Sequence, residues 1–173
     1  AKAKELKAQG LDVVGFGAGE PDFNTPDNIC NAAIKAIKDG FTKYTPASGI
    51  VELKQAVCDK FKKFNGLDYK PSQIVISNGG KHSLTNVFEA ILNPGDEVII
   101  PAPYWLSYPE IIKLSDGVPV FVRGEKENGY KVTAEQLQAA TTEKTKALVL
   151  NTPNNPTGMI YSEEELRAIA DYA

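Results

Sequence analysis

A glycine-rich junction is the segment of this sequence best suited to bind a small anion. The residues Ser-Asn-Gly-Gly-Lys-His at 77–82 join an apolar run to a helical pattern. Gly79 and Gly80 have no Cβ, so a ligand can approach the backbone closely, and the free N–H groups at the start of a helix suit a phosphate. An ordinary strand-to-helix turn has the same pattern, and the segment is neither a Walker loop nor a GxGxxG fingerprint.

Two later loops carry side chains that suit a flat, polar ligand. Trp105 follows the next apolar run, and its indole ring can lie against a planar aromatic ligand, although the position alone favours a core tryptophan. Asn-Asn-Pro-Thr-Gly at 154–158 follows a later run. An asparagine amide can bond a phenolic oxygen or a carboxylate, although Asn-Pro and Thr-Gly are also common turn pairs.

Other chemically versatile side chains are few. His82 is the only histidine, which argues against a multi-histidine metal site or a histidine-based triad and favours a helix-surface or packing role. Tyr44, in a loop between two helical patterns, is predicted to be structural unless the site of another subunit lies against it. Cys30 and Cys58 fall in helical patterns without metal-like spacing, so we expect reduced thiols in a cytoplasmic protein.

Strand-like and helical patterns alternate along the chain. The predicted strands are the apolar runs at 74–77, 98–100, 118–122 and 147–151. Helical patterns lie around them, with predicted caps at Thr25, Thr133 and Ser162 and predicted ends at Gly40 and Gly66. Strands separated by helices predict an α/β sheet covered on both faces, with ligands at the carboxyl ends of its strands.

Composition and charge are those of an ordinary globular protein. The 173 residues are 42% apolar and 24% charged, which is enough for one domain with a sizeable core. The net charge of −3 gives no electrostatic case for binding nucleic acid or an anionic membrane surface. No apolar run approaches the roughly 20 residues that span a bilayer, and the lysine-rich start lacks the apolar core of a signal peptide.

Both ends of the sequence indicate a longer chain. There is no starting methionine, and the sequence opens inside a helix-like stretch. The last helical pattern has placed Leu166, Ile169 and Ala170 on one face when the sequence stops at Ala173 without a cap. We therefore expect these residues to be part of a larger protein.

Together the motifs resemble one family over essentially the whole sequence. Segments in the order and spacing of class I pyridoxal-phosphate (PLP) aminotransferases lie at 17–26, 43–45, 79–81, 103–109 and 154–158. The motifs most resemble those of the bacterial aspartate aminotransferase branch, some of whose members also accept prephenate. The Asn-Asn-Pro-Thr-Gly motif is family-wide, whereas the Pro-Tyr-Trp and Gly-Gly-Lys forms are narrower.

The resemblance implies a fold and a division of the chain. It implies a three-layer α/β large domain of the PLP-transferase type with a mostly parallel central sheet, present only in part. Residues 1–25 would be an N-terminal segment comprising an arm and the start of a small domain. Residues 26–173 would be the first part of the PLP-binding large domain.

The resemblance also implies roles at the cofactor. Gly80 and Lys81 match the backbone donors to the cofactor phosphate, and Trp105 matches the residue stacked on the pyridine ring. Asn155 matches the asparagine that bonds the 3-oxygen of the cofactor. Tyr44 matches a tyrosine that reaches the phosphate of the neighbouring subunit's cofactor, which implies a homodimer with shared active sites.

At the substrate, Gly19 matches a glycine beside the α-carboxylate, and Trp105 and Asn155 also border this region. The Schiff-base lysine, the aspartate at the pyridinium nitrogen and the arginine that clamps the α-carboxylate are expected beyond Ala173. We therefore expect no catalytic residue and no transaminase activity in these 173 residues alone. The complete chain is expected to move an amino group from an L-amino acid, with aspartate as the donor in this branch, to 2-oxoglutarate or prephenate.

Two alternatives stay open at this point. The same motifs serve aromatic, alanine and kynurenine aminotransferases and some carbon–sulfur lyases. Some transcription regulators also carry an aminotransferase-like sensor domain behind a DNA-binding domain, although the acidic balance gives no hint of one. An amino-donor screen separates the enzymes, and the length of the complete chain separates the regulator.

Overall fold

The computed structural model describes residues 2–14, 19 and 21–173. The chain divides into two compact units, Ala1–Thr45 and Pro46–Ala173. Part of the tight loop predicted at 17–22 lies outside the described residues. The assignment of 1–25 to an arm and small domain, and of 26–173 to the large domain, stays a prediction.

The described part of the first unit includes the helices α1 (Lys2–Ala8) and α2 (Asp27–Lys38). The predicted Thr25 cap is wrong, because Pro26 occupies the N-cap position in an extended conformation and the helix begins one residue later. The predicted end is confirmed at Gly40, which has a φ of 80° and follows the last helical residue Lys38 by two positions. Glycine adopts this left-handed conformation without a steric penalty.

The second unit is built around a parallel sheet in the order β2-β1-β3. Its strands are β1 (Glu97–Ala102), β2 (Val118–Arg123) and β3 (Thr145–Leu148). In the register, Ile99 of the central strand lies beside Val120 and beside Leu148. The predictions at 98–100 and 118–122 are confirmed, and the run predicted at 147–151 enters the sheet two residues earlier.

Helices cover both faces of this sheet. They are α4 (Gly80–Ile91) and α5 (Ser107–Leu114) on one face and α6 (Ala134–Ala140) and α7 (Glu163–Tyr172) on the other. Helix α3 (Val51–Asn65) packs against the short 3-10 helix Pro71–Gln73. Since side chains alternate along a strand, Val98 and Ile100 pack towards α4 and α5, whereas Ile99 packs towards α6 and α7. All three side chains are completely buried, each contributing about 1.5–3 kcal/mol of hydrophobic stabilisation. The helix–sheet–helix arrangement confirms the predicted α/β fold.

The prediction of a strand at 74–77 is wrong. Within the described residues no strand pairs with this segment, and its recorded backbone bond to another segment is from Ile76 N–H to Ser48 O (3.0 Å). Val75 is 66% exposed. An apolar β-branched run has strand propensity, but a strand forms only where a neighbouring strand supplies the paired hydrogen bonds.

The sequence signals for helix ends are otherwise accurate. Thr133 and Ser162 each form the predicted capping box, with Gln136 and Glu165 returning the bond. Gly66 ends α3 in the left-handed conformation (φ 67°). Across the described part of the chain, no helix has the length and apolar character needed to cross a membrane.

Candidate functional site

The topology of the second unit gathers several loops at one edge of the sheet. The strands are parallel, so their carboxyl ends lie at the same edge. The loop after β1 carries Trp105, and the loop after β3 leads to Asn154 and Asn155. Helix α4 runs back to the start of β1 through the turn at 93–96, so its N-terminus also points to this edge.

The N-terminus of α4 is arranged to receive an anion. Gly79 is the N-cap, with a φ of 82° and a ψ of 166°, a conformation that is nearly exclusive to glycine. Ser83 N–H makes the first bond back to the Gly79 carbonyl (3.3 Å). Among the described residues, no partner is recorded for the N–H groups of Gly80, Lys81 and His82. No atom of residues 2–14, 19 and 21–173 lies within 4 Å of a Cβ built at Gly79 or Gly80, so none of these residues crowds the approach to the donors.

His82 supports this junction from the helix surface. Its side chain is exposed, and its Nδ1 accepts a hydrogen bond from Asn78 N–H (3.1 Å). Because Nδ1 is the acceptor, the bond requires a tautomer with Nδ1 unprotonated. The predicted helix-surface role of His82 is confirmed, and the described residues contain no cluster suited to hold a metal ion.

Trp105 lies between the core and the open edge. It is partly buried against the cluster that contains Val98 and Ile100. Tyr108 packs edge-on against its ring at a centroid distance of 5.5 Å, and Tyr108 N–H donates to the Trp105 carbonyl (3.1 Å). Lys81 Nζ lies 4.9 Å from the Trp105 ring centroid, within cation–π range. The structure thus brings Lys81 and Trp105 together, and their roles at a cofactor stay predictions.

The two neighbouring asparagines point in different directions. Asn154 is partly buried, and its Nδ2 donates to the Pro103 carbonyl (3.0 Å) and to Thr157 Oγ1 (2.9 Å). Asn155 is exposed, and no hydrogen bond of its side chain is recorded within the described residues. Asn155 is therefore available to a ligand, whereas Asn154 ties the loops together. Sequence reasoning assigned no role to Asn154, because a double asparagine does not reveal which amide turns inward.

Polar contacts anchor the end of the second loop. Tyr161 OH accepts from Val132 N–H (2.9 Å), and burial raises the pKa of this phenol above its usual value. Lys131 forms an ion pair with Glu165. The hydrogen bond from the Lys131 side chain is the main cause that lowers the pKa of the Glu165 carboxyl below its usual value. Glu165 also accepts from Ser162 N–H (2.7 Å) in the capping box of α7. The loop at 151–161 is thus held by side chains at its far end.

Comparison with known proteins decides the family. The profile described as "Aminotransferase class I and II" matches residues 11–173. The chain belongs to the class I and II aminotransferases. The recognition made from the motifs is therefore confirmed.

Similar aminotransferases share both sequence and fold with this chain. It is 60% identical over 173 residues to an aspartate aminotransferase of Bacillus sp. (strain YM-2), covering 100% of this chain and 44% of that protein. It is 55% identical to a probable aspartate/prephenate aminotransferase of Aquifex aeolicus, covering 99% of this chain and 44% of that protein. The structure of the Thermus thermophilus aspartate aminotransferase with maleate superimposes with a TM-score of 0.94 at 49% identity, over 99% of this chain and 45% of that one. The chain therefore spans less than half the length of these relatives.

Two of the predicted site residues lie in the first unit. Gly19 is exposed, with open space around a Cβ built on it. Tyr44 is fully exposed. The predicted contacts of Gly19 with a substrate carboxylate and of Tyr44 with a neighbouring subunit's cofactor stay predictions.

Proposed function

We propose that the full-length protein is a PLP-dependent aminotransferase that moves the amino group of L-aspartate to 2-oxoglutarate, with prephenate as a second acceptor. One observation carries the proposal. The open N-terminus of α4, which suits an anion, lies beside the partly exposed ring of Trp105, at the edge where Asn155 also emerges. The relatives at 55–60% identity are named aspartate or probable aspartate/prephenate aminotransferases.

The residues present fit the chemistry of PLP at three of its parts, the phosphate, the ring face and the phenolic oxygen. The dianionic phosphate matches the N–H groups of Gly80 and Lys81 together with the Lys81 ammonium group. The flat pyridine ring matches the face of Trp105, and the phenolic oxygen matches the exposed amide of Asn155. When bound, PLP supplies an electron sink for the carbanion at the substrate Cα.

Five candidate site residues of this chain have separate roles in this proposal. Gly80 and Lys81 hold the phosphate end and fix the depth at which the cofactor lies. Trp105 covers one face of the ring and keeps water from it. Asn155 donates to the ionised phenolic oxygen and so favours its charged form. Gly19 offers its backbone N–H to the α-carboxylate of the amino acid.

We also propose that the enzyme is a cytoplasmic homodimer that serves amino-acid biosynthesis. The complete exposure of Tyr44 within its own unit supports a contact with a second subunit. Cys30 and Cys58 are both free thiols, which agrees with a reducing compartment.

A coupled assay on the full-length protein tests the proposal. With PLP, L-aspartate and 2-oxoglutarate, we expect oxaloacetate to form, and prephenate should replace 2-oxoglutarate as acceptor. A panel of tyrosine, phenylalanine, alanine, kynurenine and cystathionine serves as the matched donor set. Faster turnover of any of these than of aspartate would reassign the substrate, and absence of transamination from every donor would reject the proposed activity.

A second arm uses the 173-residue chain alone. We expect it to catalyse no transamination, because the lysine that anchors the cofactor in the family is expected beyond Ala173. Production of oxaloacetate by this chain from aspartate and 2-oxoglutarate would contradict that expectation. The full-length protein, assayed in the same buffer, is the positive control.

A further inference from the structure

The side chain of Asn154 joins the two loops that carry Trp105 and Asn155. Its Nδ2 donates one bond to the Pro103 carbonyl, 51 positions away in sequence, and one to Thr157 Oγ1. Both amide hydrogens are therefore used. The bond to Pro103 crosses from the loop after β3 to the loop after β1.

The same residue closes the turn that contains Asn155. Asn154 N–H donates to the Met159 carbonyl (2.9 Å), and Gly158 N–H donates to the Asn154 carbonyl (2.8 Å). Thr157 Oγ1 also accepts from Met159 N–H (3.3 Å). Asn155 lies inside this closed turn, so its position follows that of Asn154.

The bond to Pro103 is not needed to form the turn. The local bonds between Asn154, Gly158 and Met159 already close it. The last backbone bond recorded between the segments that continue from β1 and β3 runs from Val149 N–H to Ile99 O (2.9 Å). Beyond this point, the Asn154 amide provides a direct link between the two loops.

We propose that Asn154 is a positioning residue of the cofactor site, because its amide fixes the loop of Asn155 against the loop of Trp105. This inference rests on the proposed function, since it assumes that one cofactor contacts both residues. Trp105 lies two positions after Pro103, and Asn155 directly follows Asn154. If the hydrogen bond between Asn154 and Pro103 is lost, the distance between the Trp105 ring and the Asn155 amide is no longer fixed.

The test uses the full-length protein and variants with matched geometry. Asn154→Asp keeps the shape of the side chain but replaces the two-hydrogen donor by an acceptor facing the Pro103 carbonyl. Thr157→Val removes one acceptor of the amide, whereas Thr157→Ser keeps the hydroxyl. Asn128→Asp is the control, because its Nδ2 donates to a local backbone carbonyl, that of Lys131 (3.3 Å).

Two readouts separate positioning from a purely structural role. The first is the dissociation constant of PLP for the apoprotein. The second is the midpoint of the pH titration of the bound cofactor's absorbance. Both are measured under buffer conditions in which urea unfolding curves show that each variant is fully folded.

For Asn154→Asp we expect the PLP dissociation constant to rise about tenfold, as the loss of one to two neutral hydrogen bonds implies. The titration midpoint should rise by about half a unit, because the Asn155 donor to the ionised oxygen is displaced. Thr157→Val should weaken binding about threefold, and Thr157→Ser and Asn128→Asp should stay within about twofold of the unaltered protein.

Three results would overturn the inference. A folded Asn154→Asp protein with unchanged affinity and midpoint would show that the link is only structural. If that variant does not fold, Thr157→Val and Thr157→Ser decide, and equal values for the two reject the inference. If the unaltered full-length protein does not bind PLP, the proposed function fails and this inference fails with it.

Discussion

The glycine loop at 77–82 and the asparagine loop at 151–158 lie at the same edge of the sheet but are held in different ways. The first presents backbone N–H groups, and its shape depends on the unusual conformation of Gly79. The second is held by side chains, above all by Asn154 and Thr157. A site for an anion can thus rest on backbone geometry, whereas placing one polar side chain requires a network of other side chains.

The two loops also differ in what prevents a substitution. In the first loop an added Cβ at Gly79 meets no neighbour among the residues that the structure describes, so the obstacle to substitution is the backbone angle. In the second loop the obstacle is the loss of a donor, because both hydrogens of the Asn154 amide are bonded. Three predictions sharpen this contrast, from the largest expected effect to the smallest.

Gly79→Ala should destabilise the protein by about 1–3 kcal/mol, the cost of holding a side chain at a φ and ψ that only glycine readily adopts. Gly80→Ala adds the same methyl group in a helical position and should change the free energy of unfolding by less than about 1 kcal/mol. Urea unfolding of the full-length variants measures both. Equal effects at the two positions would contradict a backbone-determined first loop.

Trp105→Ala should raise the PLP dissociation constant about tenfold, because the ring that faces the cofactor is lost. Trp105→Phe keeps an aromatic face, and its PLP dissociation constant should rise only about threefold. Equilibrium binding to the apoprotein gives both values. If both variants bind PLP as the unaltered protein does, Trp105 is only the core residue that its position alone suggested.

Stability in acid should depend on Glu165, which lies in α7 just after the second loop. Its pKa is lowered in the folded protein, chiefly by Lys131, so the folded state binds fewer protons than the unfolded state near the ordinary value of 4.5. The contribution of Glu165 is present above that value and is lost as the pH falls through the lowered pKa.

Glu165→Gln keeps the capping bond but removes the titration. We therefore expect the free energy of unfolding of the unaltered protein to fall more steeply below pH 4.5 than that of the variant. The effect is small because the pair is only partly buried. Glu164→Gln, one residue earlier in the same helix turn, is the control and should keep the steep fall. Parallel curves for the unaltered protein and Glu165→Gln would contradict the prediction.

Local signals in the sequence predicted much of the fold. The apolar run at 98–100 becomes the fully buried centre of β1, and the capping boxes at Thr133 and Ser162 form as expected. These features depend on residues close together in sequence. The strand predicted at 74–77 does not form, because pairing needs a neighbour that a local pattern cannot show.

The candidate site was predictable in part for the same reason. Motif position pointed to Gly80, Lys81, Trp105 and Asn155, and the structure brings Lys81 to the Trp105 ring. The bond from Asn154 to Pro103 spans 51 positions, so a local sequence pattern cannot predict it. Tyr44 and Gly19 lie in the other unit, and their roles depend on partners that the sequence does not identify.

The most direct measurement is a crystal structure of the full-length protein with PLP bound. The account predicts the cofactor phosphate within hydrogen-bonding distance of the Gly80 and Lys81 N–H groups, the pyridine ring against Trp105 and the phenolic oxygen at the Asn155 amide. A phosphate bound away from the N-terminus of α4, or a ring that does not contact Trp105, would contradict the central claim.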